Sequence, residues 1–387
     1  MAVINTPTLS LSFWPIRLVF AVEALAFGTL LPRIPDLKTA LQLSEADLGL
    51  ALLGIPVGTL LGFTIAPIVV RALGLRLAVA VSIVALALAA ILPALAWSRE
   101  ALFAALLCGG VAMTHSEIAL NSKTGSIEAA AGRRIMSQCH GFWSLGMIAG
   151  VLLGGSLAQQ GITVLHQSVA IAVFVVPAAV LIVSRLPLDP PPAPPCGSGF
   201  ALPPLALLPL CLLPVGIMII EGIFMDWSAV FLREIVGADP FAASLGFAAV
   251  AAAMAVVRLV GDRLAARFGD LAVVIVSAIA AGGGMLGFAC ADTVLMAIGA
   301  AALAGAGVAT VYPIALSAAA RMPGRPERNI AAVSFTSFLI LLGSPAAFGF
   351  AAEAYGFRAA LAACAALALP TLFLAPALRA RRRLASS

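Results

Sequence analysis

Four carboxylates stand inside long apolar stretches of this sequence: Glu23, Glu117, Glu221 and Asp226. A charged group at a bilayer centre costs at least ~2.5 to 3.5 kcal/mol, so such residues face a cavity or a partner and mark functional positions. Glu23 sits near the middle of the first apolar run, with Phe20 and Phe27 on the same helical face by their spacing. It is expected to be a proton or substrate site, against the alternative of a structural hydrogen bond to a neighbouring helix. Further along, Thr114, Glu117 and Asn121 fall at i, i+3 and i+7, which puts a hydroxyl, a carboxylate and an amide on one stripe, with His115 and Ser116 alongside. A carboxylate facing a partly dry space can take up and release a proton near neutral pH. Glu23 and Glu117 are therefore the expected proton-coupling residues, with His115 as a relay or as a packing hydrogen-bonder.

Other polar residues in apolar runs are candidates for binding or gating. Glu221 and Asp226, followed by Trp227, suit a gate at the outer end of the seventh run, and Trp227 suits equally an interfacial anchor. Thr310 and Tyr312 are placed to hydrogen-bond a solute, with Pro313 permitting a bend. Together with Thr114 and Asn121, these make up the expected binding set. His140 and Trp143, one turn apart, are expected at an inner gate. Arg258, Asp262, Arg263 and Arg267 are expected to form a charge cluster at the membrane exit that stabilises one conformation. His166 reads as a packing residue, and Gly305 and Gly307 as sites of close helix approach.

Several classes of chemistry lack their residues. There is no GxxxxGK[ST] sequence, and the glycine run AGGGM at Ala281 lies in an apolar stretch, so nucleotide-driven work is not indicated. The six cysteines are scattered without CxxC pairs, which points to neither a disulfide framework nor a zinc site. No serine has the loop context of a nucleophile elbow. The expectation is a protein that is not an enzyme and carries no cofactor and no metal.

The elements that must position these residues are set by composition. Of 387 residues, 62% are hydrophobic and 10% charged, with a mean hydropathy of +1.12; soluble domains run at roughly 45 to 50% apolar and about 25% charged. A chain this apolar needs lipid around its outer face. Apolar runs fall at residues 12–31, 47–68, 76–97, 101–122, 138–158 and 163–184, then at 205–229, 241–261, 271–291, 293–319, 330–351 and 359–377. Each is long enough for one crossing. The first run lacks a basic leader and a cleavage site and is expected to be retained. Between the sets lies RLPLDPPPAPPCGSGFALPP, whose prolines remove backbone donors, so no helix runs through it in hydrocarbon. The organisation is thus a first bundle at residues 1–184, a linker at 185–204 and a second bundle at 205–387.

With the N-terminus inside, sixteen Lys and Arg residues fall on inner loops and ends and five on outer loops, leaving Arg17 in the first span. That partition satisfies the positive-inside rule with both termini cytoplasmic. The net charge of +5 is accordingly read as topology and not as an affinity for nucleic acid. The sets also repeat one another. Glu23 precedes Gly49 by 26 residues and Gly74 by 51, while Glu221 precedes Gly246 by 25 and Gly269 by 48.

On these motifs the sequence resembles a known family. The stretch VAMTHSEIALNSKTGSIEAAAGRRIMSQCHGFWSLGMIAG (111–150), with LPRIPDLKTALQLSEADLGLALL near the start, EGIFMDWSAVFLRE at Glu221 and RLVGDRLAARFG at Arg258, resembles a bacterial subgroup of the major facilitator superfamily typified by the YbjJ-type inner-membrane proteins. The subgroup usually carries Asp where this chain has Glu117. The glycine and acid of the loop after the second helix are replaced by Pro67 and Arg71. A more distant similarity to fucose:proton symporters implies acids in the first and fourth helices, which Glu23 and Glu117 supply. The resemblance implies an all-α membrane fold of two six-helix repeats in the bacterial inner membrane. It also implies a monomer in which the repeats rock about a cavity lined by helices one, four, seven and ten. The expected function is secondary, proton-coupled transport of a small polar solute; an efflux antiporter and a non-transporting receptor on the same fold are the alternatives. Because intramembrane carboxylates outnumber Arg17, neutral sugars or cationic metabolites are the expected cargo.

Overall fold

A computed structural model of the chain describes residues 13–189, 205–323 and 326–378; most of the linker and the arginine-rich tail lie outside the described residues. Among the described residues there are twelve helical elements long and apolar enough to cross a membrane. In chain order they are α1 (Trp14–Ala40), α2 (Glu45–Leu73), α3 (Leu75–Leu95), α4 (Arg99–Ala131), α5 (Met136–Gln159), α6 (Val164–Ser184), α7 (Leu208–Glu234), α8 (Pro240–Gly261, its helix continuing to Phe268), α9 (Asp270–Ala289), α10 (Val294–Ala320), α11 (Arg328–Tyr355) and α12 (Phe357–Leu374). The face at which α1 begins is termed proximal, the opposite one distal.

Local chemistry explains where these elements start and turn. Five of the elements starting at the distal face have a side-chain cap: Ser44, Ser98, Thr163, Asp239 and Thr293 each accept a hydrogen bond from a backbone N–H three residues on. Such caps satisfy donors that a helix start leaves orphaned. At the proximal face, the α2–α3 and α8–α9 turns pass through Gly74 (φ 77°, ψ 161°) and Gly269 (φ 84°, ψ 150°). Only glycine takes that backbone readily, and its recurrence carries the internal repeat into the geometry.

Three elements differ from the apolar runs. The run at 12–31 continues as helix to Ala40, because Pro32 and Pro35 each occupy the first turn of a new helical segment, where a missing N–H costs nothing. The fourth run extends from residue 122 to Ala131, where Gly132 ends it in a left-handed conformation (φ 62°). The tenth breaks between Val308 and Val311. Pro313 has no N–H to offer the carbonyl four residues earlier, so the Ala309 oxygen is left free at the break.

Helices within each set meet through glycine. Along α5, Gly146, Gly150 and Gly154 lie against the backbone oxygens of Ala21, Leu25 and Thr29 of α1, where an added Cβ would come within 2.1 to 2.4 Å. Gly305 does the same against Val250, and Gly307 against the α9 backbone at Ala281. Without a hydrophobic drive between helices in lipid, such close backbone approach is what holds them. The second set adds an aromatic core in which Trp227 packs on Phe348 and Phe357, at 4.9 and 5.8 Å between ring centroids.

Candidate functional site

The α1–α5 glycine seam brings Trp143 of α5 alongside Glu23 of α1. Glu23 is only 3% exposed, and its polar neighbours are the Trp143 indole and Ser116 of α4, with Glu117 as a second carboxylate in electrostatic range. Ser116 Oγ lies beside it without reaching hydrogen-bond geometry. Glu117 differs: its side chain is exposed, yet it lies within electrostatic range of Glu23 on one side and of Tyr312 of α10, in the other set, on the other side. An exposed group surrounded in this way opens onto the space between the sets and not onto lipid. The arrangement is a sheltered carboxylate behind a water-accessible one. It suits passing a proton between the bundle interior and the space between the sets.

On the facing wall, Tyr312 donates its hydroxyl to Ser334 Oγ at 2.9 Å. Arg258 Nε reaches the free Ala309 carbonyl at 3.4 Å. Glu221 of α7 and His140 of α5 both lie within electrostatic range of Arg258. Asn121 is partly buried, with an Oδ1 that has no partner. A small void lined by Phe27, Leu31, Ile34, Leu52 and Leu106 is wholly apolar and separate from these groups.

Several expected site residues are not brought to this space. His115 turns toward Ala78 of α3, with neither ring nitrogen at hydrogen-bond geometry, so it is no relay between Glu23 and Glu117. Thr114 is buried against Gly62 of α2 and bonds the Gly110 carbonyl of its own helix. Thr310 is buried and shares a 2.8 Å hydrogen bond with Ser277 of α9. Trp227 is fully buried in the aromatic core, which makes it neither a gate nor an anchor, and Asp226 beside it is 8% exposed. Trp143 sits at Glu23 instead of at an inner gate. Arg258 reaches the Ala309 carbonyl of α10 and is exposed toward the space between the sets. Arg263 and Arg267 stay exposed further along α8, and the side chain of Asp262 lies outside the described residues.

The sequence reading missed two polar networks. Among the described residues, the ion pairs that join the two sets both lie at the distal face. Lys38 Nζ pairs with Glu234 at 2.6 Å and with Glu45 at 3.0 Å, and Arg233 pairs with Asp36. Glu353 also accepts the Ala46 N–H at 2.9 Å, and Gly49 approaches the Pro345 carbonyl so closely that a Cβ would stand 2.6 Å from it. At the proximal face, Lys123 is fully buried and pairs with Asp189 at 2.7 Å, while Asp189 accepts the Arg76 N–H at the start of α3. Burial alone would raise the Asp189 pKa, but the Lys123 ammonium and the Arg76 N–H outweigh it and hold the carboxyl below its usual value. The acid missing from the loop after α2 is thus supplied from the start of the linker. Opposite charges at i and i+3 or i+4 can be found in a sequence; pairs 66 or 196 residues apart cannot.

No family model matches the chain. It is 30% identical over 358 residues to an uncharacterized MFS-type transporter of Yersinia pestis, covering 92% of each chain. In structure it is similar to a bacterial homologue of the human lysosomal transporter Spinster in an inward-facing, unoccupied conformation, with a TM-score of 0.72, 16% identity and 96% and 97% of the two chains covered. It is also similar to a D-xylose–proton symporter, with a TM-score of 0.69, 14% identity and 93% and 97% covered. The chain belongs to the major facilitator superfamily of membrane transporters.

Proposed function

We propose that this protein is a secondary active transporter that moves a small polar solute by alternating access, coupled to protons through Glu23 and Glu117. The observation that carries the reading is the position of this pair, with one member sheltered and the other open to the space between the sets. Two six-helix bundles joined at the distal face and, among the described residues, without cross-set ion pairs elsewhere supply the moving parts. With the arginine-rich face inside, the proximal face is cytoplasmic and the arrangement is the inward-facing one. The likeness to a proton-coupled sugar symporter supports the coupling ion at the level of the fold.

The test is uptake of D-xylose, amino acids and cationic amines into proteoliposomes carrying an imposed pH gradient, with an internal pH dye as the second readout. Glu23→Gln and Glu117→Gln are expected to abolish gradient-driven accumulation while leaving exchange down a solute gradient. If both variants still acidify the lumen with solute as the parent does, the carboxylate pair is not the proton site.

A further inference from the structure

Besides Arg17 in the first span, an arginine stands in the eighth, Pro240–Gly261. Arg258 lies eighteen residues past the first residue of the α8 helix, about 27 Å along its axis at 1.5 Å per residue. That places it in the last turn of its span, at the proximal end. The reason it points inward is the break in α10. Pro313 frees the Ala309 carbonyl, and the Arg258 Nε reaches that oxygen, which aims the guanidinium across the bundle.

Groups from three other elements surround it: Ala309 of α10, Glu221 of α7 and, from the opposite set, His140 of α5. Glu221 is in electrostatic range but forms no ion pair with it within 4 Å. Among the described residues, no acceptor meets the two terminal nitrogens, although the side chain is exposed to the space between the sets. A guanidinium carries five N–H donors in a planar fork, and the terminal pair matches the two oxygens of a carboxylate. Across that space stands the exposed Glu117, an acceptor in electrostatic range of Tyr312 of the second set.

We propose that Arg258 is an anion subsite that binds the carboxylate of the transported solute, while Glu117 receives a hydroxyl or ammonium group at its other end. The cargo is then a small hydroxy- or amino-carboxylate, in place of the neutral or cationic solute that the sequence favoured. This rests on the transporter reading.

The experiment uses the full chain purified in detergent and matched probes that differ by the carboxylate: D-gluconate against D-glucose, and L-threonine against L-threoninol. Thermal unfolding reports binding, because a ligand held by the folded state raises the apparent melting temperature. The acid of at least one pair is expected to stabilise and its neutral or cationic partner not to. Arg258→Gln should weaken that binding by about tenfold to hundredfold, and Arg258→Lys, which keeps the charge and loses the fork, by less. The melting temperature of each variant without probe identifies a folding defect, and Arg258→Lys remains informative if Arg258→Gln unfolds. Equal binding of both members of every pair, undiminished binding of the acid to a folded Arg258→Gln, or no stabilisation by either acid overturns the proposal. Counterflow in proteoliposomes separates it from the reading on which it rests. An acid that binds through Arg258 but is never exchanged leaves the subsite standing and removes transport. D-glucose exchanged equally by the parent and by Arg258→Gln does the reverse.

Discussion

Lys38→Ala should release the distal face. Lys38 is 10% exposed and holds Glu234 of the second set at 2.6 Å and Glu45 of its own set at 3.0 Å. The Glu45 contact lies within one set and survives any rocking of the two, so only the Glu234 bond distinguishes the conformations. A hydrogen bond to a charged partner contributes about 1.5 to 3 kcal/mol. Glu234 keeps 31% of its side-chain surface, so solvent screening reduces the figure to about 1 to 2 kcal/mol. Removing the ammonium also leaves Glu45 and Glu234 facing each other, a repulsion present only when the face is closed, so this value is a lower bound. The ratio of closed to open distal faces should therefore fall by a factor of about 5 to 30. The measurement is a pulsed electron-paramagnetic distance distribution between spin labels at Gln42 and Ile235, in a background without other cysteines. The short-distance population should shrink in Lys38→Ala and persist in Lys38→Arg. An unchanged distribution in Lys38→Ala, or an equal loss in both variants, refutes the idea that this charge contact holds the face closed.

Gly49→Leu should act on the same equilibrium by volume, because its Cβ would stand 2.6 Å from the Pro345 carbonyl; the same labels should report an open distal face without loss of helical signal. Asp189→Asn should lower thermal stability by about 3 kcal/mol, the low end for breaking a buried pair, since Lys123 is fully buried while Asp189 keeps 26% of its side-chain surface. The folded pKa of Asp189 lies below its ordinary 3.8, so its stabilisation is complete above that value and fades as pH falls through the folded one. The gap in melting temperature between parent and Asp189→Asn should be flat from neutral pH down to about 5 and close below about 4; a gap that widens on acidification contradicts the assignment. Trp227→Ala should cost about 3 to 5 kcal/mol of unfolding free energy and Trp227→Phe much less, as read by denaturant titration in mild detergent; a cost near zero would contradict the core position.

Hydropathy by itself determined the twelve crossings, because burying a backbone in lipid requires helices of bilayer length, and local signals marked their ends. Ser44, Ser98, Thr163, Asp239 and Thr293 are start signals written in a few adjacent residues, and Gly74 and Gly269 are turn signals of the same kind. That Glu23 and Glu117 stand inside spanning helices was likewise legible, since each lies within a single apolar run. What the sequence could not supply was rotation and partnership. Thr114 and Glu117 belong to one stripe, but at 3.6 residues per turn they stand about 60° apart, enough for α4 to press Thr114 onto Gly62 while opening Glu117 to the space between the sets. The same uncertainty hid His115 behind α3 and Trp227 in the aromatic core. Arg258 looked like an exit charge until the break in α10 offered it a carbonyl, and Lys38 and Asp189 have partners that no local spacing predicts. A helix fixes the angles among its own side chains; only packing against other helices decides where those angles point.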